Sequence, residues 1–230
     1  MLSRSPRVLF NPHLVTPARR SLTGRYIHAS ASSRLDYFEE IMVDHNNFRD
    51  LHARFLSAYD KRDEEEMTKI ANTLVREVSV HAIGEEMSIY RVLDEHNLHS
   101  ISEQDRAAHQ VMKEAFKYVD SNSIANLGID EYANAVERAC QPLFEHAQEE
   151  ENDHYQKLNS ILNPLQKSQL ATEYLKARSM SPSRPHPSAP DSGGMGQKVV
   201  GKIVQPVDAV VNKAKDHVPL KYEHAYVDAA

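Results

Sequence analysis

Between residues 36 and 178 apolar side chains return at steps of three and four with few breaks, and this one feature confines the chain to packed helices. Phe38, Ile41, Met42, Phe48, Phe55, Leu56 and Tyr59 lay a single stripe along a first helix. The pattern resumes at Met67, Ile70, Leu74, Val78, Ile89 and Leu93, behind Glu64, Glu65 and Glu66, whose charges suit a helix N-terminus. Residues 97–100 break it. Ser102-Glu103-Gln104-Asp105 carries the side chains of a capping box, which predicts a third helix opening there and running toward Val119. After a loop over 121–128 a fourth helix is expected over 129–162, ended by Asn163-Pro164 because the residue before proline leaves helical backbone. Pro142 should kink or divide that helix. A short further helix fits residues 165–178. With only seven glycines in 230 residues, long elements joined by short connections are the rule. The expected fold class is all-α, an up-down-up-down four-helix bundle.

Histidine supplies the second constraint, at 13 residues of 230. His81 and Glu85 in the second helix are echoed by His146 and Glu150 in the fourth, each pair a His-x-x-x-Glu. A four-residue step sets both side chains on one face, about 6 Å apart along the axis, so each pair can grip one metal. His45 lies on the stripe of the first helix and His109 on that of the third. The spacing also repeats: 36 residues separate His45 from His81, and 37 separate His109 from His146. Each half of the chain therefore brings one lone histidine and one His-x-x-x-Glu to the interior.

Six polar groups in one core layer are costly, at about 1–3 kcal/mol for each unpaired neutral group and more for a carboxylate. A metal satisfies them all. Mixed imidazole and carboxylate donors suit iron or manganese, and zinc accepts the same donors at lower coordination number. Six ligands exceed what one tetrahedral zinc takes and fall short of saturating two octahedral ions. Two non-haem irons joined by carboxylates fit that arithmetic, with positions left open for a small ligand.

The ordered set His45, His81 with Glu85, His109, and His146 with Glu150 resembles the hemerythrin-like family, the cation-binding HHE domain, over residues 36–165. The resemblance implies a four-helix bundle around a di-iron centre, with His45, His81, His109 and His146 as terminal ligands and Glu85 and Glu150 as bridges. It also implies dioxygen carriage or sensing, iron sensing, or handling of nitric oxide or peroxide. Two departures stand out. Oxygen-carrying members have a second histidine four residues after the one in helix three, where this chain has Lys113. Their last carboxylate is an Asp five residues after the histidine, where this chain has Glu150 at four and Glu151 at five. A lost ligand favours sensing, peroxide or nitric oxide chemistry, or iron storage over reversible carriage. The competing readings are a di-iron enzyme of detoxification and a metal-free structural bundle.

Glu86, Glu149 and Glu151 read as solvated neighbours of the site, and His52 and His154 as decoys on ligand faces without a counterpart in the other half. His96 and His99 fall in a loop, and His186, His217 and His224 in a tail, all expected to be exposed.

Outside the bundle, residues 1–35 hold six arginines, six serines and no acid, the composition of a mitochondrial-type presequence, so the matrix is the expected destination. Residues 179–196 read as a Pro/Ser/Gly linker, and 197–230 as a low-order tail of unknown role and partner, Val-rich enough for a short helix or a strand. A net charge of -6 argues against nucleic-acid binding, and no apolar run approaches the length of a membrane span. The single cysteine, Cys140, excludes an internal disulfide and reads as a small buried residue.

Overall fold

The structure, a computed structural model, describes residues 35–188 and 215–225 together with Asp208 and Val210. The expected presequence, most of the linker and much of the tail lie outside the described residues. Every regular element among those described is helical.

Helix α1 (Tyr37–Asp60) opens on Asp36, whose carboxylate accepts the Phe38 N–H, and α2 (Glu64–Met87) opens on Asp63, which accepts from Glu66 N–H. Three residues join them, too few for anything but an antiparallel return. A short helix, α3 (Ile89–Glu95), follows, then α4 (His99–Ser121), the single turn α5 (Ile124–Leu127), and α6 (Ile129–Glu149). Gly128, at φ 79°, takes the left-handed backbone that links α5 to α6, a conformation that costs glycine little. A five-residue π-helical segment (Glu150–His154) leads into α7 (Tyr155–Ile161), and α8 (Pro164–Ser179) closes the set. α1 packs against α2 and α6, while α4 packs against α2 and α6, which closes a four-helix bundle; α8 lies on α1 and α2.

Several boundaries differ from expectation. The second helix does not run unbroken to Leu93, because Ser88 leaves helical backbone and its hydroxyl donates to the Gly84 carbonyl, a local bond that competes with the helix ladder. The third begins at His99, so Ser102 lies inside it and its hydroxyl turns to Asp94 and the His99 carbonyl. The fourth passes through Pro142 and changes character at Glu150 instead. α8 carries a full capping box between Asn163 and Gln166, with Pro164 in the first turn, where its missing N–H costs nothing.

Along the bundle axis the interior alternates. One apolar cluster, from Phe48, Phe55 and Leu74 to Phe116, Val136 and Leu143, fills one end and includes the buried Cys140. A second, with Tyr37, Ile41, Ile89, Leu93, Leu158 and Tyr174, fills the other. Between them every main helix changes to buried polar residues: Asp44 and His45 on α1, His81, Glu85 and Glu86 on α2, Asp105 and His109 on α4, and His146 on α6 followed by Glu150.

Residues 215–225 have no regular secondary structure, yet they run along α1 in the direction opposite to it, with Val218 buried in the first cluster. Among the described residues no helix is long and apolar enough to cross a membrane.

Candidate metal centre

All six residues of the repeat, His45, His81, Glu85, His109, His146 and Glu150, lie in the polar layer and none is more than 2 % exposed. They form two groups, one of His45, His81, Glu85 and Glu150, the other of Glu85, His109, His146 and Glu150, with donor atoms inside each group within 4.8 Å of one another. Both carboxylates belong to both groups. Glu85 Oε2 lies 3.4 Å from Nε2 of His81 on its own helix and 3.2 Å from Nε2 of His109 in the other half of the chain. Glu150 lies 3.1 Å from Nε2 of His146 one turn before it and 3.4 Å from Nε2 of His45. The sequence repeat thus becomes a quasi-twofold arrangement.

With Nε2 inward, each imidazole turns Nδ1 toward an outer carboxylate. Glu151 meets His45 at 2.8 Å, Glu86 meets His109 at 3.1 Å, and Asp44 faces His81 at 3.3 Å. Asp105 faces His146 at 3.9 Å, beyond hydrogen-bond length, and holds His154 at 2.7 Å. Such partners favour, for His45, His81 and His109, the tautomer that presents the Nε2 lone pair inward. The twofold relation extends to them: Glu86 and Glu151, each just after a shared carboxylate, cross to the lone histidine of the opposite half.

Two of the expected solvated neighbours are therefore corrected. Glu86 is buried, bonded to His109 and, at 2.5 Å, to Lys113; Glu151 is half-buried between His45 and Arg49. Glu149 does lie on the surface, where it accepts from Gln104. Neither His52, paired with Glu137, nor His154 joins either group. His99 begins α4 and is exposed, His96 and His217 are partly exposed, and His186 pairs with Asp208. His224 is not solvated: its ring lies between Glu40 and Asp44. Lys113, four residues after His109, reaches the same Glu86 oxygen that meets the His109 ring.

Three phenols close the layer. Tyr155 hydroxyl lies 2.8 Å from Glu85 and 2.7 Å from Glu150. Tyr90 reaches His109 Nε2 at 2.9 Å, and Tyr174, from α8, reaches His81 Nδ1 at 3.0 Å. Tyr155 gets there through the π segment, in which its N–H donates five residues back to the Glu150 carbonyl. The widened turn brings it over the face of Glu150, as π segments at functional sites do. Tyr174 can approach α2 because Gly84 is there; a Cβ at that position would stand 3.0 Å from both Tyr174 and Arg178.

The electrostatics favour a cation. Burial, and then the charge of Glu150, push the Glu85 carboxyl well above its usual range. Burial pushes Glu150 the same way, but His146 and His45 outweigh it and hold that carboxylate well below. Burial lowers His81 to about 4 and, reinforced by His146, drives His109 well below its usual value. His45 and His146 are raised, the carboxylates around them outweighing burial. Five inward atoms, Nε2 of His45, His81 and His146 and Oε2 of Glu85 and Glu150, have no hydrogen-bond partner. Buried polar atoms without partners are rare and costly. A cation among them would satisfy all five, so the residues fit a metal.

Comparison with known proteins points the same way. The hemerythrin HHE cation binding domain matches residues 36–158, just over half of the chain. An uncharacterized hemerythrin-like protein of Schizosaccharomyces pombe is 25% identical over 173 residues, covering 74% of this chain and 82% of its own length. No solved structure matches.

Proposed function

Because this chain belongs to the hemerythrin HHE cation-binding family, we propose that its polar layer holds two non-haem irons and that the loaded protein binds a small ligand such as dioxygen, in oxygen or iron sensing or handling. The observation that carries this reading is the double use of Glu85 and Glu150. His45 and His81 would hold one ion, His109 and His146 the other, and the two carboxylates would bridge them. Iron bound in this way would supply electron exchange with a ligand at an open coordination position. Imidazole and carboxylate donors favour iron or manganese, and zinc is the competitor to be excluded.

The chain's own contribution is positional. Apolar clusters on either side keep bulk water from the layer, and Glu151, Asp44 and Glu86 hold three imidazoles in one tautomer. Tyr155 ties the two shared carboxylates together.

Metal analysis of the purified protein, expressed with iron available, tests the reading. Two irons per chain are expected, and neither held in Glu150→Ala; one zinc, or no metal, overturns it. Ferrous loading under anaerobic conditions followed by air should then give charge-transfer absorption, and two irons without it would remove the dioxygen part.

Tyr90 and Tyr155 favour a second reading, because each sets an O–H at the centre and reduction of peroxide or nitric oxide consumes protons. Turnover no faster than that of free ferrous iron would count against it. Residues 1–35 support delivery to the mitochondrial matrix, to be tested by import and cleavage in isolated mitochondria.

A further inference from the structure

The tail carries no recognisable motif, yet its described segment ends against the polar layer. Residues 215–225 lie along α1 and α2 as a strap held mostly through its backbone. Asn72 donates to the Asp216 carbonyl, Thr73 Oγ1 accepts the Val218 N–H at 3.0 Å, and Arg54 donates to the Pro219 carbonyl at 2.9 Å. The Asn47 amide, 1 % exposed, both donates to the Tyr222 carbonyl and accepts its N–H, each at 3.0 Å. Glu40 accepts the Ala225 N–H. Glu40, Asp44 and Asn47 fall at helical spacing on one face of α1, and all three are buried polar residues bonded to the strap.

His224 is where strap and centre meet. Its Nδ1 lies 2.9 Å from Glu40 and its Nε2 3.0 Å from Asp44 Oδ1. The other oxygen of that carboxylate, Oδ2, takes the Tyr174 hydroxyl, takes Arg178 at 2.6 Å, and faces His81 Nδ1. With Oδ1 held by His224 and Oδ2 by Tyr174 and Arg178, the carboxylate is fixed through both oxygens in the orientation that faces the imidazole.

We propose that the C-terminal strap is a working part of the metal centre, with His224 a positioning residue that acts through Asp44 on His81. His81 belongs to only one of the two metal groups, so the effect falls on one ion and not the other. By linkage, metal binding at that position must in turn tighten the strap. This inference rests on the reading of the layer as a metal site, and the test separates the two.

In the full-length metal-free protein, nitrogen NMR of His81 reads the tautomer directly. The wild type should hold its proton on Nδ1, and His224→Ala should give a mixture, with His224→Gln restoring the wild-type signal in part. Anaerobic ferrous titration against a chelator should then show two equivalents in the wild type. In His224→Ala one of them should weaken by about threefold or more, less than the tenfold or greater loss typical of a direct outer partner. Lys221→Ala, which removes a strap contact with Asp50 and leaves Asp44 alone, should change neither readout. An unchanged His81 tautomer in His224→Ala overturns the inference, as do two equivalents with wild-type affinities. A wild type that binds no iron while the tautomer shifts as expected would overturn the metal reading and the ferrous arm, leaving the His224 to His81 relay standing.

Discussion

Tyr155 is the hinge pin between Glu85 and Glu150: its hydroxyl lies within 2.8 Å of both, though 65 positions separate the two acids in the chain. A phenol has one proton to give. That one proton faces both carboxylates, and it counts most at Glu150, which His146 and His45 hold ionised against the effect of burial. Removing the hydroxyl leaves two buried acidic groups without that partner. Tyr155→Phe should destabilise the metal-free protein by about 1–3 kcal/mol, read as a lower urea midpoint with unchanged slope.

Gly84→Ala tests the close approach of α8. The new Cβ would press on Tyr174 and Arg178, the two α8 residues that hold Asp44. A loss of about 1–3 kcal/mol is expected, as for overpacked cores. Thermal melting measures it, and an unchanged Tm would mean that α8 shifts without cost.

Glu86→Gln removes the carboxylate that meets both His109 and Lys113. Ferrous affinity at the position served by His109 should fall by about 10- to 100-fold, the usual effect of losing an outer partner. The position served by His45 and His81 should be spared, so a chelator titration that shows equal weakening of both equivalents would be the contrary result.

Strap docking should depend on pH through His224. Burial disfavours its charged form, but Asp44 and Glu40, one at each ring nitrogen, outweigh burial and raise it above the usual value, with Arg178 opposing. A neutral ring has one N–H and so can serve only one of them. A group whose folded value is raised stabilises fully below its unfolded value of about 6.5 and loses that contribution as pH climbs through the folded one. Exchange of the Tyr222 and Ala225 amides should therefore accelerate beyond the intrinsic rise as pH climbs through the raised His224 value, and should do so less in His224→Ala.

Chelation returns the five inward atoms to their unpartnered state. Stripped protein should melt lower and recover on adding ferrous iron, by about 2.7 kcal/mol at a hundredfold excess over Kd. Scanning calorimetry with and without chelator decides this.

Much of this arrangement was legible from periodicity. The stripes located the four main helices, and the spacing of His45, His81, His109 and His146 brought together the six residues that the structure collects in one layer. What escaped was either nonlocal or set by a small backbone deviation. The outer acids left a trace, since Glu85-Glu86 and Glu150-Glu151 are doubled in both halves and Asp44 directly precedes His45. An acid beside a ligand is equally at home in solvent, and only the cross-chain approach of His109 and His45 buries Glu86 and Glu151. The breaks at Ser88 and Glu150 arise from one hydroxyl and one i to i+5 bond, which hydrophobic spacing does not register. What α8 and the strap contact leaves no local trace, since Arg178 reaches Asp44 and Tyr222 reaches Asn47 across more than a hundred positions.

The double membership of Glu85 and Glu150 makes the two metal positions poor candidates for independent filling. A first ion would draw both carboxylates into their ionised form and fix their rotamers, which is most of the organisation a second ion needs. A chain with one ion would keep two imidazoles idle beside acids already committed. With both positions intact such a protein should count in pairs, passing from empty to full with few half-filled molecules over a rising supply of metal, whereas a variant weakened at one position alone should populate the half-filled form that the intact layer avoids.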